Sequence, residues 1–197
     1  MDRRITAMKY ERKGFTLVEL LIVIVVIGIL SAMMMLSSTE AVSSAKVNNI
    51  INNLRNFKTA TLSWYTDNLD KVNANGKVKK PDGSGYAMFG KDNSVTIAEI
   101  AKYLNTELKS DGSDNSGGKY MPDYTPVDGG STTEGPFRWF IVYKLPNSDT
   151  RIKEKLEAHA ASIGLMRSQP GTGNRGEYSA TAEGSDYVAI EVINFSK

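Results

Sequence analysis

The sequence predicts an α+β protein in which one long N-terminal helix, membrane-spanning in its first half, packs against a small antiparallel sheet head. Three observations predict it. Residues Phe15 to Leu36 form a run of 22 residues that is nearly all apolar and holds one charge, Glu19. No proline precedes Pro81, so a helix begun in that run can continue beyond it. Far downstream, Phe137 to Leu145 alternates, with Phe137, Trp139, Ile141, Tyr143 and Leu145 on one side, as a half-buried strand does.

The apolar run comes first. A bilayer core about 30 Å thick takes roughly 20 helical residues to cross, so residues 15–36 suffice. A carboxylate near the start of such a span costs about 2.5 kcal/mol or more unless something pairs with it. The first 14 residues hold Arg3, Arg4, Lys9, Arg12 and Lys13 against Asp2 and Glu11. Since the whole chain carries +2, the remaining residues are close to neutral, and bulk attraction to nucleic acid is not indicated. Positive charge placed before a spanning segment is what cytoplasmic retention of that end requires.

Three membrane readings compete. A cleaved secretory signal has an apolar stretch of about 7 to 15 residues and a small-residue site after it. Here the stretch is longer, contains an acid, and is followed by a weak site, Ser43-Ser44-Ala45, inside a helical pattern. An uncleaved anchor explains length and charge bias but leaves Glu19 as an unexplained penalty. The third reading, a cut on the cytoplasmic side, leaves a new cationic amine close in sequence to Glu19.

The residues K-G-F-T-L-V-E-L, Lys13 to Leu20, resemble the junction of type IV pilins and of type II secretion pseudopilins, and the likeness extends to about Tyr65. The resemblance implies cleavage between Gly14 and Phe15 by a membrane aspartyl peptidase, and N-methylation of Phe15 by the same enzyme. It also implies an assembly role for Glu19, meeting the N-terminal amine of a neighbouring subunit. A leader of 14 residues is long for the type IVa group, and a start at Met8 gives MKYERKG, of ordinary length. Where the family often has a proline, Leu36 stands, leaving Gly28 as the weak point for helix extension.

Beyond Leu36 the helix is amphipathic. Val47, Ile50, Ile51, Leu54, Phe57, Thr61, Trp64 and Tyr65 recur at spacings near three and four, with asparagines, Arg55 and Lys58 between them. The expected organisation is a leader over 1–14, a helix over 15–68 with 15–36 in the membrane, and a head over 69–197. Residues 69–90 read as a loop, and Lys71, Lys77, Lys79 and Lys80 within it read as solvated rather than DNA-binding, because no aromatic residue interleaves them. Thr96 and Glu99 have the form of a capping box, opening a short helix to about Leu108.

Residues 110–135 are turn-rich. Asp111, Asp114 and Asn115, with Asp123 and Asp128, are oxygen ligands of the kind calcium takes, but the EF-hand spacing is absent and a bare polar loop is favoured. After the strand at Phe137, a helix is expected from Thr150 to Ile163, stopped by Gly164. Residues 169–176 read as a loop, and Glu177–Ala182 with Tyr187–Phe195 as a hairpin, giving a sheet of three or four strands. With no cysteine there is no disulfide, thiolate zinc site or catalytic thiol, and the head's last loop must be held by packing, a metal or neighbours. His159, the one histidine, reads as a helix residue.

The functional expectation is a structural subunit, not an enzyme. No nucleophile elbow, phosphate loop or HExxH pattern occurs, and no cofactor is required. The expected role is a type IV pilus subunit serving adhesion, motility or DNA uptake. Alternatives are a type II secretion pseudopilin, a minor tip pilin, or an adhesin presenting Tyr120, Tyr124 and Trp139. The partners expected are other pilin subunits, the prepilin peptidase and methyltransferase, assembly platform proteins and the inner membrane. The chain is expected to be single-pass there before assembly, and afterwards in an extracellular pilus or a periplasmic pseudopilus.

Overall fold

The computed structural model describes residues 14–104, 108–109, 111–115, 117–127, 135–146, 149–168 and 176–196. The expected leader, apart from Gly14, lies outside them, as do Asp128 and most of the 169–176 loop. The chain divides into two compact units, Met1–Val42 and Ser43–Lys197.

Helix α1 spans Leu17–Asp67. In the first unit its large apolar side chains, Leu17 through Met35, are all exposed, Val26 least so at 48%. This stretch is long and apolar enough to cross a membrane. The helix runs through Gly28 without interruption, and no atom beyond its own turn comes within 4 Å of where a Cβ would stand.

In the second unit the predicted stripe of α1 forms the core: Val47, Ile50, Ile51, Leu54, Phe57, Ala60 and Trp64 are buried. Thr61, also buried, satisfies its hydroxyl by donating to the Phe57 carbonyl at 2.8 Å. The helix ends where Asn68 Nδ2 donates to the Trp64 carbonyl, and a 3₁₀ turn, Leu69–Lys71, follows. The region read as a plain loop then contains a two-stranded antiparallel pair, β1 (Val78–Lys79) and β2 (Tyr86–Ala87).

Helix α2 covers Ile97–Ala101, much shorter than the helix expected to Leu108. Its capping box forms as expected, but the chain turns at Lys102 and Tyr103. Strand β3, Lys119–Pro126, lies inside the stretch read as a polar loop. Its two prolines disguised it: an edge strand tolerates residues without an N–H, and β3 is the edge of the main sheet.

Strand β4 (Phe137–Lys144) matches its expectation, as does helix α3 (Thr150–Ile163), capped by Asp149 and ended by Gly164 at φ +70°. The last expectation needs correcting. Glu177–Ala182 is not a strand: Glu177 makes one isolated bridge to Met166, and residues 180–186 are turns. Buried Tyr178 fixes them by donating its hydroxyl to the Ser185 carbonyl. The partner of β6 (Tyr187–Asn194) is instead the short β5, Leu165–Arg167.

The sheet order is β3-β4-β6-β5, antiparallel throughout. One face carries Trp139, Ile141, Tyr143, Val188, Ile190 and Val192 into the core shared with α1, where Phe57 stacks on Tyr120 with centroids 4.6 Å apart. Phe140, Val142 and Ala189 are buried on the other face, so β4 is apolar on both sides.

Candidate processing and assembly site

Gly14, Phe15 and Thr16 lead into α1, and Phe15 is 89% exposed. With Leu17 as the first helical residue, Thr16 is the N-cap and Glu19 the third residue of the helix. Their side chains answer each other. Glu19 Oε2 accepts from the Thr16 backbone N–H at 2.8 Å and from its hydroxyl at 2.9 Å, while the Glu19 N–H donates to Thr16 Oγ1 at 3.2 Å. This is a capping box, satisfying backbone donors that a helix start leaves open. The helix dipole adds a favourable field for an anion at this end.

The same T-x-x-E pattern opens α2, where Thr96 N donates to Glu99 Oε2 at 3.0 Å and Glu99 N to Thr96 Oγ1 at 3.3 Å. Thr16-Leu-Val-Glu19 carries the same local signal as Thr96-Ile-Ala-Glu99, hidden within the apolar run. Glu19 thus has a partner within its own chain.

Residues 10–35 match the model of the prokaryotic N-terminal methylation motif. The chain carries a type IV pilin-like N-terminal segment. A relative is the fimbrial protein EcpB of Eikenella corrodens, 43% identical over 54 residues, or 27% of this chain. The match spans about a third of that protein, 34% of its length. No solved structure matches the chain.

The other candidates fall in the second unit. Asp111 Oδ1 accepts from the N–H and hydroxyl of Ser113 at 3.0 and 2.7 Å, and these bonds hold its carboxyl below the usual range. Asp114 accepts from the Gly118 N–H through Oδ1 and from the Tyr143 hydroxyl through Oδ2, at 2.9 and 2.8 Å. Asn115 lies with Asp114 in the wall of a cavity of about 350 Å³. Among the described residues no group of three or more His, Cys, Asp or Glu is placed to hold a metal ion.

Lys71, Lys79 and Lys80 line a second cleft, joined by Lys102 and the half-exposed Tyr103. The fold therefore supplies an aromatic neighbour that the linear sequence lacked. It also supplies Asp70, Asp82 and Glu99, and Lys80 pairs with Asp92 at 3.6 Å, so the cleft is of mixed charge. Lys77 lies over the Phe137 ring instead. Of the three aromatics considered for adhesion, Tyr120 and Trp139 are fully buried and Tyr124 is half-buried. His159 is exposed on α3.

Proposed function

We propose that this chain is a structural subunit of a type IV pilus. It is held in the inner membrane through residues 15–36, cut between Gly14 and Phe15, methylated on Phe15, and drawn into a helical filament. The observation that carries the reading is the first unit itself: an exposed apolar helix with one carboxylate at its start, inside a matched methylation motif. The likeness to a fimbrial protein supports it. Such a helix outside lipid needs an apolar partner along its length, and other copies of itself are the partner at hand.

Glu19 then has two successive roles. Before cleavage it caps its own helix through Thr16. After cleavage it pairs with the new amine of a neighbour, so that a full positive charge joins the uncharged Thr16 donors as its partner. The prepilin peptidase and the assembly platform are the transient partners, and the chain's work is assembly rather than catalysis.

Mass spectrometry of the mature N-terminus tests processing: a methylated Phe15 is expected, and a chain retaining residues before Gly14 overturns it. Glu19→Ala tests assembly, with normal insertion and cleavage expected but poor incorporation into filaments. A pseudopilin of a type II secretion system shares the same junction and is the second reading. Deletion of the gene separates the two, since loss of surface filaments marks a pilin and an isolated secretion defect marks a pseudopilin.

A further inference from the structure

The cavity of about 350 Å³ that Asp114 and Asn115 border lies within the second unit and has no part in the pilus reading. Its volume falls at the small end of the range, about 300–1,000 Å³, in which proteins hold small molecules. Tyr120 lines it with 1% of its surface exposed, its ring packed on those of Phe57 and Tyr143 at centroid distances of 4.6 and 4.5 Å. That packing fixes the hydroxyl in place. The hydroxyl is buried and makes no hydrogen bond to the described residues, and the half-buried Asn53 beside it approaches without reaching bonding geometry. Such a group carries its desolvation penalty without compensation. Phenylalanine would make the same ring contacts and avoid that penalty, so the hydroxyl is suited to a partner from outside the chain.

The groups around it define that partner. Tyr143 donates its hydroxyl to Asp114 Oδ2 at 2.8 Å and the Gly118 N–H donates to Oδ1 at 2.9 Å, which holds the carboxylate at the cavity wall. A phenol and an amide each donate and accept, and a carboxylate accepts, so the set answers a ligand that carries several hydroxyl groups. Charge selects the same class. Lys46 lines the cavity together with Asp114 and Asp149, so a ligand ion of either sign meets a like charge. Ile50, Leu145 and Ile152 complete the wall with apolar surface for the C–H groups of a ring.

We infer that this cavity binds a neutral polyol the size of one sugar ring, with its hydroxyls on Tyr120, Asn53 and Asp114. A free monosaccharide and the terminal sugar of a glycan share that chemistry.

The full chain is held in a zwitterionic detergent, which brings no sugar headgroup, and is titrated with free hexoses, N-acetylhexosamines and inositol. Binding is read by saturation-transfer NMR, and millimolar or tighter binding of at least one polyol is expected. Tyr120→Phe keeps the ring contacts and should lower that affinity at least about tenfold, with the thermal midpoint at or above that of the wild type. Asn53→Ala should weaken binding in the same direction. A short glycan ending in the bound sugar separates the two sources: tighter binding than the free sugar supports a glycan end, and weaker binding supports a free sugar. No binding by any of these polyols at millimolar concentration, a cavity for water alone, overturns the inference. Binding that both substitutions leave unchanged overturns it too, and so does an amino acid that binds more tightly than every polyol. None of these readouts needs a filament, so failure of the pilus reading and failure of the sugar site are distinguishable.

Discussion

The indole Nε1–H of Trp139 donates to the backbone carbonyl of Gly76 at 2.7 Å, tying the central strand β4 to the loop after α1. Phe89 stacks on Trp139 with centroids 4.3 Å apart, and Tyr65 and Phe195 pack against its edges at 5.7 and 5.0 Å. Gly76 sits at φ +78°, and a Cβ there would fall 2.4 Å from Phe195 Cδ2. Gly76→Ala combines a left-handed conformation with that overlap and is expected to destabilise the head by about 2 kcal/mol or more. Trp139→Phe leaves a buried carbonyl without its donor and a gap beside Phe89, at a cost of about 3 kcal/mol. Thermal melts of the detergent-solubilised full chain check both, with midpoints lowered by several degrees.

The Thr16 and Glu19 box predicts a local effect. Thr16→Ala removes the cap and is expected to weaken the first turn of α1 by about 1 kcal/mol, speeding amide exchange at residues 17–20 roughly fivefold in micelles. Thr96→Ala should do the same to α2. Unchanged exchange at both sites would show that neither box matters to its helix.

Lys153 is nearly buried, and its ammonium pairs with Asp186 Oδ1 at 2.7 Å and donates to Ser185 Oγ at 3.0 Å. The two substitutions that break this pair are not equivalent. Asp186→Ala leaves a buried cation without its carboxylate and is expected to cost about 1–2 kcal/mol, the half-exposed position of Asp186 moderating the loss. Lys153→Met removes the charge together with its desolvation and is expected to cost under about 1 kcal/mol. Chemical denaturation of the two variants checks the order.

Burial pushes the hydroxyls of Tyr120, Tyr143 and Tyr178 above the ordinary phenol range, and the hydrogen bond to Asp114 pushes Tyr143 further the same way. The unfolded chain loses these protons near pH 10, as free phenols do, while the folded chain keeps them. The unfolded state therefore binds fewer protons above that pH, and stability, fully present below it, falls as pH rises toward the folded-state values. Alkaline titration followed by tyrosinate absorbance should show late, cooperative ionisation coinciding with unfolding. Tyr143→Phe should make the decline shallower.

What the linear sequence discloses depends on whether a signal is local. The apolar run, the amphipathic stripe from Val47 to Trp64, the cap at Thr96, the alternation of β4 and the Gly164 stop are each set by neighbours within a turn or two, and each is legible in the sequence. Strand β3 was missed because Pro122 and Pro126 imitate loop chemistry until the strand is known to lie at an edge. The outer partner of β6 is not legible because Leu165–Arg167 is only three residues long and Glu177–Ala182 lies nearer in sequence, and the choice between them falls to tertiary contacts such as the Tyr178 bond to Ser185. At the candidate site the lone charge of Glu19 stands out in the apolar run, whereas Thr16 shows its importance only once its bonds to Glu19 are seen.

Rings, and no disulfide, hold the second unit around Trp139, and sulfur and rings respond to different stresses. A clasp of Phe89, Trp139 and Phe195 is indifferent to reductant and needs no oxidising folding catalyst. It depends instead on the hydrophobic effect, which weakens on cooling. The second unit should therefore stay folded through a change of redox conditions, while the contribution of its clasp declines as the temperature falls.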